Sequence, residues 1–316
     1  MPSSDATTSH YGAPTEWIKS EPITSAALGP LYLALDLRNG RLMMVKEIED
    51  GHDDIDERQE DRVYMRGAHR EVAEMAGWKK ESIVECLGSE THTNGGEIHV
   101  FFELVPVSLQ DLLGMHAPFP EDLVKVITRD ILGALADVHN AGYTLNELGA
   151  ERVRFGDDGK AKVYVFGATS KAKDTFPFSS ISFIPDREAR SLNAARYQSE
   201  FKFVGALVLK MLQGEEVIIQ HDGPKGPPPA GANTLVQRHL SLQMIPPNLS
   251  PECRGFLKAV HAADPAQDQV LANLQMHPFI RDNGEMISKG VETSETRQHI
   301  IRMCKGIAES RNDALL

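Results

Sequence analysis

The sequence predicts an α+β fold in two lobes: a small, mainly antiparallel sheet lobe carrying one helix, then a larger, mainly helical lobe. Three observations predict it. Apolar runs of strand length crowd the first third of the chain. An Asn39-Gly40 pair, a strong hairpin signal, joins two of them. Beyond Pro106 the apolar spacing becomes helical. The chain's 316 residues are enough to bury a full core without disulfides or metals. A hydrophobic content of 41% excludes a wholly disordered chain. With 33 basic against 45 acidic residues, a net charge of -12, nucleic acid is not an expected partner. The three cysteines, Cys86, Cys253 and Cys304, are too far apart for a paired metal motif and suggest no disulfide framework. The opening MPSSDATTSH lacks the plan of a signal peptide, and no apolar run reaches the ~18 residues of a membrane span. A cytoplasmic protein that does not engage membranes is therefore expected.

Each element follows in order. Residues 1–14 are small and polar and are expected to form a disordered tail. LYLALDL and RLMMVKEI, on either side of Asn39-Gly40, read as a strand pair. The charged stretch 51–62 reads as a solvated loop or helix start. Residues 63–79 read as a helix, with Val63, Gly67, Arg70, Glu71 and Glu74 at helical steps. SIVECLG and EIHVFFELV read as two further strands around Asn94-Gly95-Gly96. SLQDLLGMH is a short amphipathic helix. In the next helix Leu123, Val126, Ile127, Ile131, Leu135 and Val138 share one face, with Pro120-Glu121-Asp122 at its start and Gly142 after its end. RVRF and KAKVYVFG are short strands around Asp157-Asp158-Gly159. From about residue 200 the chain is helical, apart from loops at 221–233 and MIPPNLSPE.

This ordered set resembles the eukaryotic protein kinase fold, most like the MAP kinase kinase kinase (STE) group. LYLALDLRNGRLMMVKEI is similar to the second and third strands, with Lys46 ending a VAIK-like MMVK. HREVAEMAGWKKESIVECLG resembles the C-helix and the turn after it, with Glu71 at the helix glutamate. HVFFELVPVSLQDLL resembles the gatekeeper (Phe102) and the hinge (Glu103 to Val105). PFPEDLVKVITRDILGALADVHNAG resembles the E-helix, SEFKFVGALVLKMLQG the F-helix, and DPAQDQVLANLQMHPFI the last kinase helices. The resemblance implies a kinase-like domain over 15–282, with its small lobe at 15–105 and its large lobe at 106–282. Residues 283–316 would form a helical extension. It also implies a nucleotide pocket at Gly29, Leu31, Met44, Lys46, Glu71, Phe102, Glu103 and Val105.

Phosphoryl transfer is mainly positioning and charge neutralisation, and kinases supply it with fixed residue types. Here the resemblance departs from the family. In the glycine loop, which falls at Thr24 to Gly29, only Gly29 remains of the three glycines. Lys46 and Glu71 are both present, either to hold phosphate or to fix the C-helix against the sheet. Leu145, Asn146 and Glu147 replace His-Arg-Asp, which leaves Glu147 as the candidate base. Gly149 replaces the catalytic-loop lysine and Arg152 the magnesium-binding asparagine. The DFG motif reads Val165-Phe166-Gly167, so its metal-binding Asp is a valine. Magnesium takes oxygen ligands, and neither Arg152 nor Val165 offers one. No metal is expected. Arg154 and Tyr164 fall at the floor of the adenine pocket and are expected to fill it, leaving it vestigial. Arg154 either pairs with a carboxylate there or the strand shifts register. The APE position reads Ile184-Pro185-Asp186, its usual arginine partner is Asp268, and the F-helix aspartate is Glu200.

Other features are weaker. No histidine cluster stands out, and His92 and His99 read as solvated. Pro224-Lys225-Gly226-Pro227 is either an SH3-type ligand or a plain loop. Thr169, Ser170, Thr175, Ser179, Ser180 and Ser182 are candidate phosphorylation sites, although Asn146 removes the usual phosphate partner. Near the end, Ile300, Cys304, Ile307 and Ala308 form a stripe that docks on the helical lobe or carries a partner contact. The expected function is that of a pseudokinase, a scaffold or allosteric regulator of an active kinase or a component of its pathway. The expected cofactor is none, or ATP without magnesium. The alternatives are a weak serine/threonine kinase using Glu147 and Lys46, or a metal-independent nucleotide sensor.

Overall fold

The computed structural model describes residues 7–10, 13–24, 31–49, 68, 71–92, 97–141, 143–145, 148–166, 181–183, 189–214, 245–263, 269–281 and 288–313. Two units divide the chain. The first comprises Met1–Pro106 with Tyr164–Ser180, the second Val107–Val163 with Ile181–Leu316. The fold is α+β, as the order of apolar patterns requires.

The first unit is built on a six-stranded antiparallel sheet. Its strands are β1 (Thr7–His10), β2 (Trp17–Thr24), β3 (Leu31–Asp36), β4 (Leu42–Glu49), β5 (Cys86–His92) and β6 (Glu97–Glu103). Their order in the sheet is β1-β5-β6-β4-β3-β2. The β3–β4 hairpin turns at Asn39-Gly40, where Gly40 takes φ 71°. Asp36 closes that turn by accepting from the Arg38 N–H (2.9 Å) and the Asn39 amide (2.8 Å). Pro22 has no N–H to give, and the β2–β3 register shifts on both sides of it. One helix, α1, is described over residues 71–75. It ends short of the expected residue 79, in a turn at Ala76-Gly77.

Three readings of this unit need correction. Residues 7–10, expected within a tail, form β1 and pair with β5 from Thr7↔His92 to His10↔Ser89. An edge strand exposes a row of backbone donors and acceptors, and pairing with it needs no apolar alternation. Strand β5 starts later than SIVECLG suggests and runs through Ser89 and Glu90, both buried, with Glu90 held by Trp17 and His99. His99, expected to be solvated, is buried. Alternation places Trp17, Ala34, Met43, Val45, His99 and Phe101 on one face of the sheet. A small core of Ala13, Ala34, Met43, Val45 and Phe101 forms there, with Trp17, Tyr32 and Leu87 packed against it. Trp17 sets its ring edge-on to His99 (4.9 Å) and Phe101 (5.2 Å).

The second unit is mainly helical, with two small sheets. One sheet joins β7 (Val107–Ser108), β9 (Val153–Phe155) and β10 (Ala161–Val163), and the other joins β8 (Tyr143–Leu145) and β11 (Ile181–Phe183). The helices are α2 (Leu109–His116), α3 (Glu121–Asn140), α4 (Ala189–Gln213), α5 (Pro251–His261), α6 (Val270–Gln275) and α7 (Ser288–Asp313). Ser108 caps α2 in a capping box with Asp111, and Ser250 caps α5 ahead of Pro251. All six expected apolar positions of α3 are buried, and so are Val124, Thr128, Leu132 and Ala134. The buried face is wider than one stripe because α3 meets α4, α6, α7, β8 and β10. The helix α7 docks on this unit through α2, α3 and β7. Ile300, Met303 and Ile307 are buried, whereas Ala308 is exposed, so Met303 takes the place expected for Ala308. Arg297 fastens α7 by donating to both Asp130 oxygens and to the Gly159 carbonyl (2.9 Å). Gly159 takes φ 73°, and a side chain there would lie 2.7 Å from the Arg297 carbonyl.

Candidate functional site

In the first unit, β4 carries Met44 and Lys46, and α1 carries Glu71. All three are buried. The register sets Met44 opposite Phe102 and Lys46 opposite both Val100 and Leu31. Cys86 lies opposite Phe102 on β5. Burial, assisted by the nearby Glu71 and Glu85 charges, pushes the Cys86 thiol up to about 12. Phe102 also gathers the segment 164–166 around itself. Its ring meets Tyr164 edge-on at 4.9 Å and Phe166 at 5.6 Å. Val165, between those two aromatics in sequence, has no exposed surface. Glu103 closes the end of β6, where its carboxylate accepts from the Glu85 N–H (2.8 Å) and its own N–H donates to the Glu85 carbonyl. Val105 is buried just beyond.

In the second unit, Arg152 and Arg154 are each only 1% exposed. Neither lacks an interaction partner. Arg154 lies opposite Lys162 on β10 and Ser108 on β7. Glu200, on α4, is completely buried. It accepts from the Leu145 N–H and pairs with His139 Nε2 at 2.8 Å. Burial pushes its carboxyl above the usual range, and His139 and the Leu145 N–H only partly offset this. At the far end of the unit, Phe279 packs on Phe256 at 5.5 Å. Arg129 donates to the Ile280 carbonyl through two nitrogens, at 3.0 and 2.6 Å.

These elements, in this order, have counterparts among known proteins. Over 285 residues the chain is 25% identical to the serine/threonine-protein kinase BCK1/SLK1/SSP31 of Saccharomyces cerevisiae, which covers 84% of this chain and 18% of the yeast protein. It is 22% identical over 286 residues to the mitogen-activated protein kinase kinase kinase ANP1 of Arabidopsis thaliana, covering 88% and 42% of the two chains. It is 24% identical over 295 residues to the MAP kinase kinase kinase mkh1 of Schizosaccharomyces pombe, covering 85% and 25%. The fold is that of a protein kinase, close to the MAP kinase kinase kinases. The chain spans less than half the length of each of these relatives. No protein-family model matches it.

Leu31, Met44, Lys46, Glu71, Phe102 and the segment 164–166 all lie in the first unit and are buried. Gly29, Asn146, Glu147, Gly167, residues 184–188 and Asp268 lie outside the described residues. So do the loop 221–233 and the candidate phosphorylation sites up to Ser180; Ser182 is described only as part of β11. The F-helix substitution Glu200 reaches the backbone of the catalytic-loop segment at Leu145. His139 was missed as its second partner. The signal was in the sequence, because His139 lies in the last turn of α3, six residues before Leu145. Among the described residues no helix is long and apolar enough to cross a membrane.

Proposed function

We propose that this chain is a pseudokinase, a protein kinase fold that acts by binding, as a scaffold or allosteric regulator in a MAP kinase pathway, with little or no phosphoryl transfer. One observation carries the reading. Val165 stands where the resemblance puts the magnesium-binding aspartate, and it is completely buried, between two residues, Tyr164 and Phe166, whose rings pack on Phe102. An aliphatic side chain gives magnesium no oxygen. Arg152, at the position of the second ligand, is a permanent cation and is buried as well. The relatives' names supply the pathway, and a partner kinase or another pathway component in the cytoplasm is the partner this implies. Lys46 on β4 and Glu71 on α1, both buried, stand at the positions of the kinase pair, which in this reading serves to hold the C-helix for a partner rather than to bind phosphate.

The same two residues favour a second reading, a nucleotide sensor that works without a metal. Thermal unfolding with ATP, in Mg²⁺ and in EDTA, separates the readings. A ligand at ~100 times its dissociation constant adds ~2.7 kcal/mol, a rise of roughly 5 °C or more for a chain this size. The scaffold predicts no shift in either condition, and the sensor predicts a shift that survives EDTA. A shift that requires Mg²⁺, together with phosphate release lost in Lys46→Ala, would replace both with an atypical kinase.

A further inference from the structure

A buried ionic cluster lies in the first unit, on the sheet face covered by Trp17. Glu47 on β4 and Glu90 on β5 are both direct cross-strand neighbours of His99 on β6. Glu97 precedes His99 by two residues on β6 and so shares its face. His99 Nε2 lies 3.1 Å from a Glu47 oxygen and 2.9 Å from a Glu97 oxygen. The other ring nitrogen, Nδ1, lies 3.2 Å from Glu90, and the Trp17 indole N–H holds Glu90 at 2.8 Å. One imidazole nitrogen thus faces two carboxylates, one of which also meets the Lys19 ammonium, and this pairing of a ring nitrogen with two carboxylates suits either a ring proton or a metal ion.

We propose that Glu47, Glu97 and His99 form a site for a divalent transition-metal cation, zinc(II) first. The three ligand atoms lie within 4.8 Å of one another. Metal–ligand bonds of about 2.0–2.2 Å set neighbouring ligand atoms roughly 3–3.5 Å apart, close to the spacing found here. One imidazole and two carboxylates suit zinc, with a fourth position left for water. The surrounding shell is also the kind that metal-binding histidines require. A carboxylate on the remote ring nitrogen fixes the tautomer and the ring plane, and Glu90 is placed to do this. The ligands come from paired strands rather than loops, so their spacing is set by the sheet. The Glu47 side chain is little exposed and His99 is buried, while the Glu97 side chain is about one-third exposed at 34% and gives the entry side. Lys19 already contacts the Glu47 oxygen that faces Nε2. At 40% exposed and on a flexible stem, it competes with the metal and swings out when the metal enters. The site is independent of the pseudokinase reading.

The test is calorimetric titration of the EDTA-stripped 316-residue chain with ZnCl₂, repeated with Co²⁺ and read by its visible absorption. One equivalent is expected to bind. Glu97→Gln, at a partly exposed position that leaves the fold intact by circular dichroism, should weaken binding tenfold or more. Glu90→Gln should weaken it about 10- to 100-fold through the ring's orientation. Lys19→Met should tighten it, an effect that a merely structural role for these residues would not produce. Absence of binding at 100-fold excess zinc would overturn the proposal and leave a ring proton as the cation. So would binding indifferent to both Glu97→Gln and His99→Gln, which would place the ion elsewhere.

Discussion

Replacing Tyr164 with alanine tests the packing on which the functional reading rests. The side chain has no exposed surface, and its ring sits edge-on to Phe102 at 4.9 Å. Removing a buried aromatic costs about 3–5 kcal/mol, from lost transfer free energy and the cavity left behind. The ring-ring contact contributes about 0.5–1.5 kcal/mol of that. At roughly 2–4 °C per kcal/mol for a large domain, Tyr164→Ala should melt at least about 6 °C below the parent chain. Tyr164→Phe keeps the ring and should stay within about 1 kcal/mol. The assay is thermal unfolding by circular dichroism, run with and without ATP. If Tyr164 is what fills the nucleotide position, the alanine variant should also gain an ATP-dependent rise that the parent chain lacks. An alanine variant that melts with the parent chain would refute the packing of Tyr164 on Phe102.

Three further outcomes are expected. Arg297→Ala removes a two-pronged pair with Asp130, whose groups are 16% and 13% exposed, and should cost roughly 2 kcal/mol by denaturant unfolding. Burial pushes the Cys86, Cys253 and Cys304 thiols from 9.0 to about 12, and three pH units reduce the thiolate, and with it reaction with a disulfide reagent at pH 8, about 1,000-fold in the native chain. Rapid labelling of all three before unfolding would contradict this. The Glu200 carboxyl is raised above its ordinary 4.5, so the folded state holds its proton more tightly than the unfolded state does. Stability from this group is full below that pH and falls as pH rises through the folded value; Glu200→Gln should therefore flatten the decline seen in pH-dependent unfolding.

Periodicity made most of the fold legible, but only where one face is apolar. The α3 row from Leu123 to Val138 and the Asn39-Gly40 hairpin stand where their patterns put them, because burial and turn chemistry act locally. Strand β1 and the second half of β5 were illegible for the opposite reason. TTSH pairs through its backbone, and Glu90 is buried by polar contacts to residues on other strands, Trp17 on β2 and His99 on β6. His99 was misread on the same ground, since its partners Glu47 and Glu90 lie 52 and 9 residues away and meet it only through register. For the candidate site, the resemblance named Lys46, Glu71, Phe102 and Val165, all of them buried in the first unit. It did not show that Phe102 would hold Tyr164 and Phe166 together.

Valine suits the buried position 165, and this gives a sharper test of the proposed reading than any deletion. In an apolar setting an aspartate is stable only while a cation or hydrogen-bond donors accompany it. Valine needs neither, and fully buried it adds roughly 1.5–3 kcal/mol of apolar transfer. Val165→Asp should therefore leave an uncompensated buried charge and destabilise the chain by about 3–5 kcal/mol near neutral pH. Lowering the pH until the new carboxyl is protonated should recover part of that loss, because the neutral acid is cheaper to bury. Magnesium with ATP should not recover it, since Arg152 still stands at the second ligand position. The assay is thermal unfolding of Val165→Asp across pH, with and without Mg²⁺ and ATP. Parent-like stability at pH 7, or a gain that needs both magnesium and ATP, would mean that position 165 faces a working metal site, and the binding-only reading would fall.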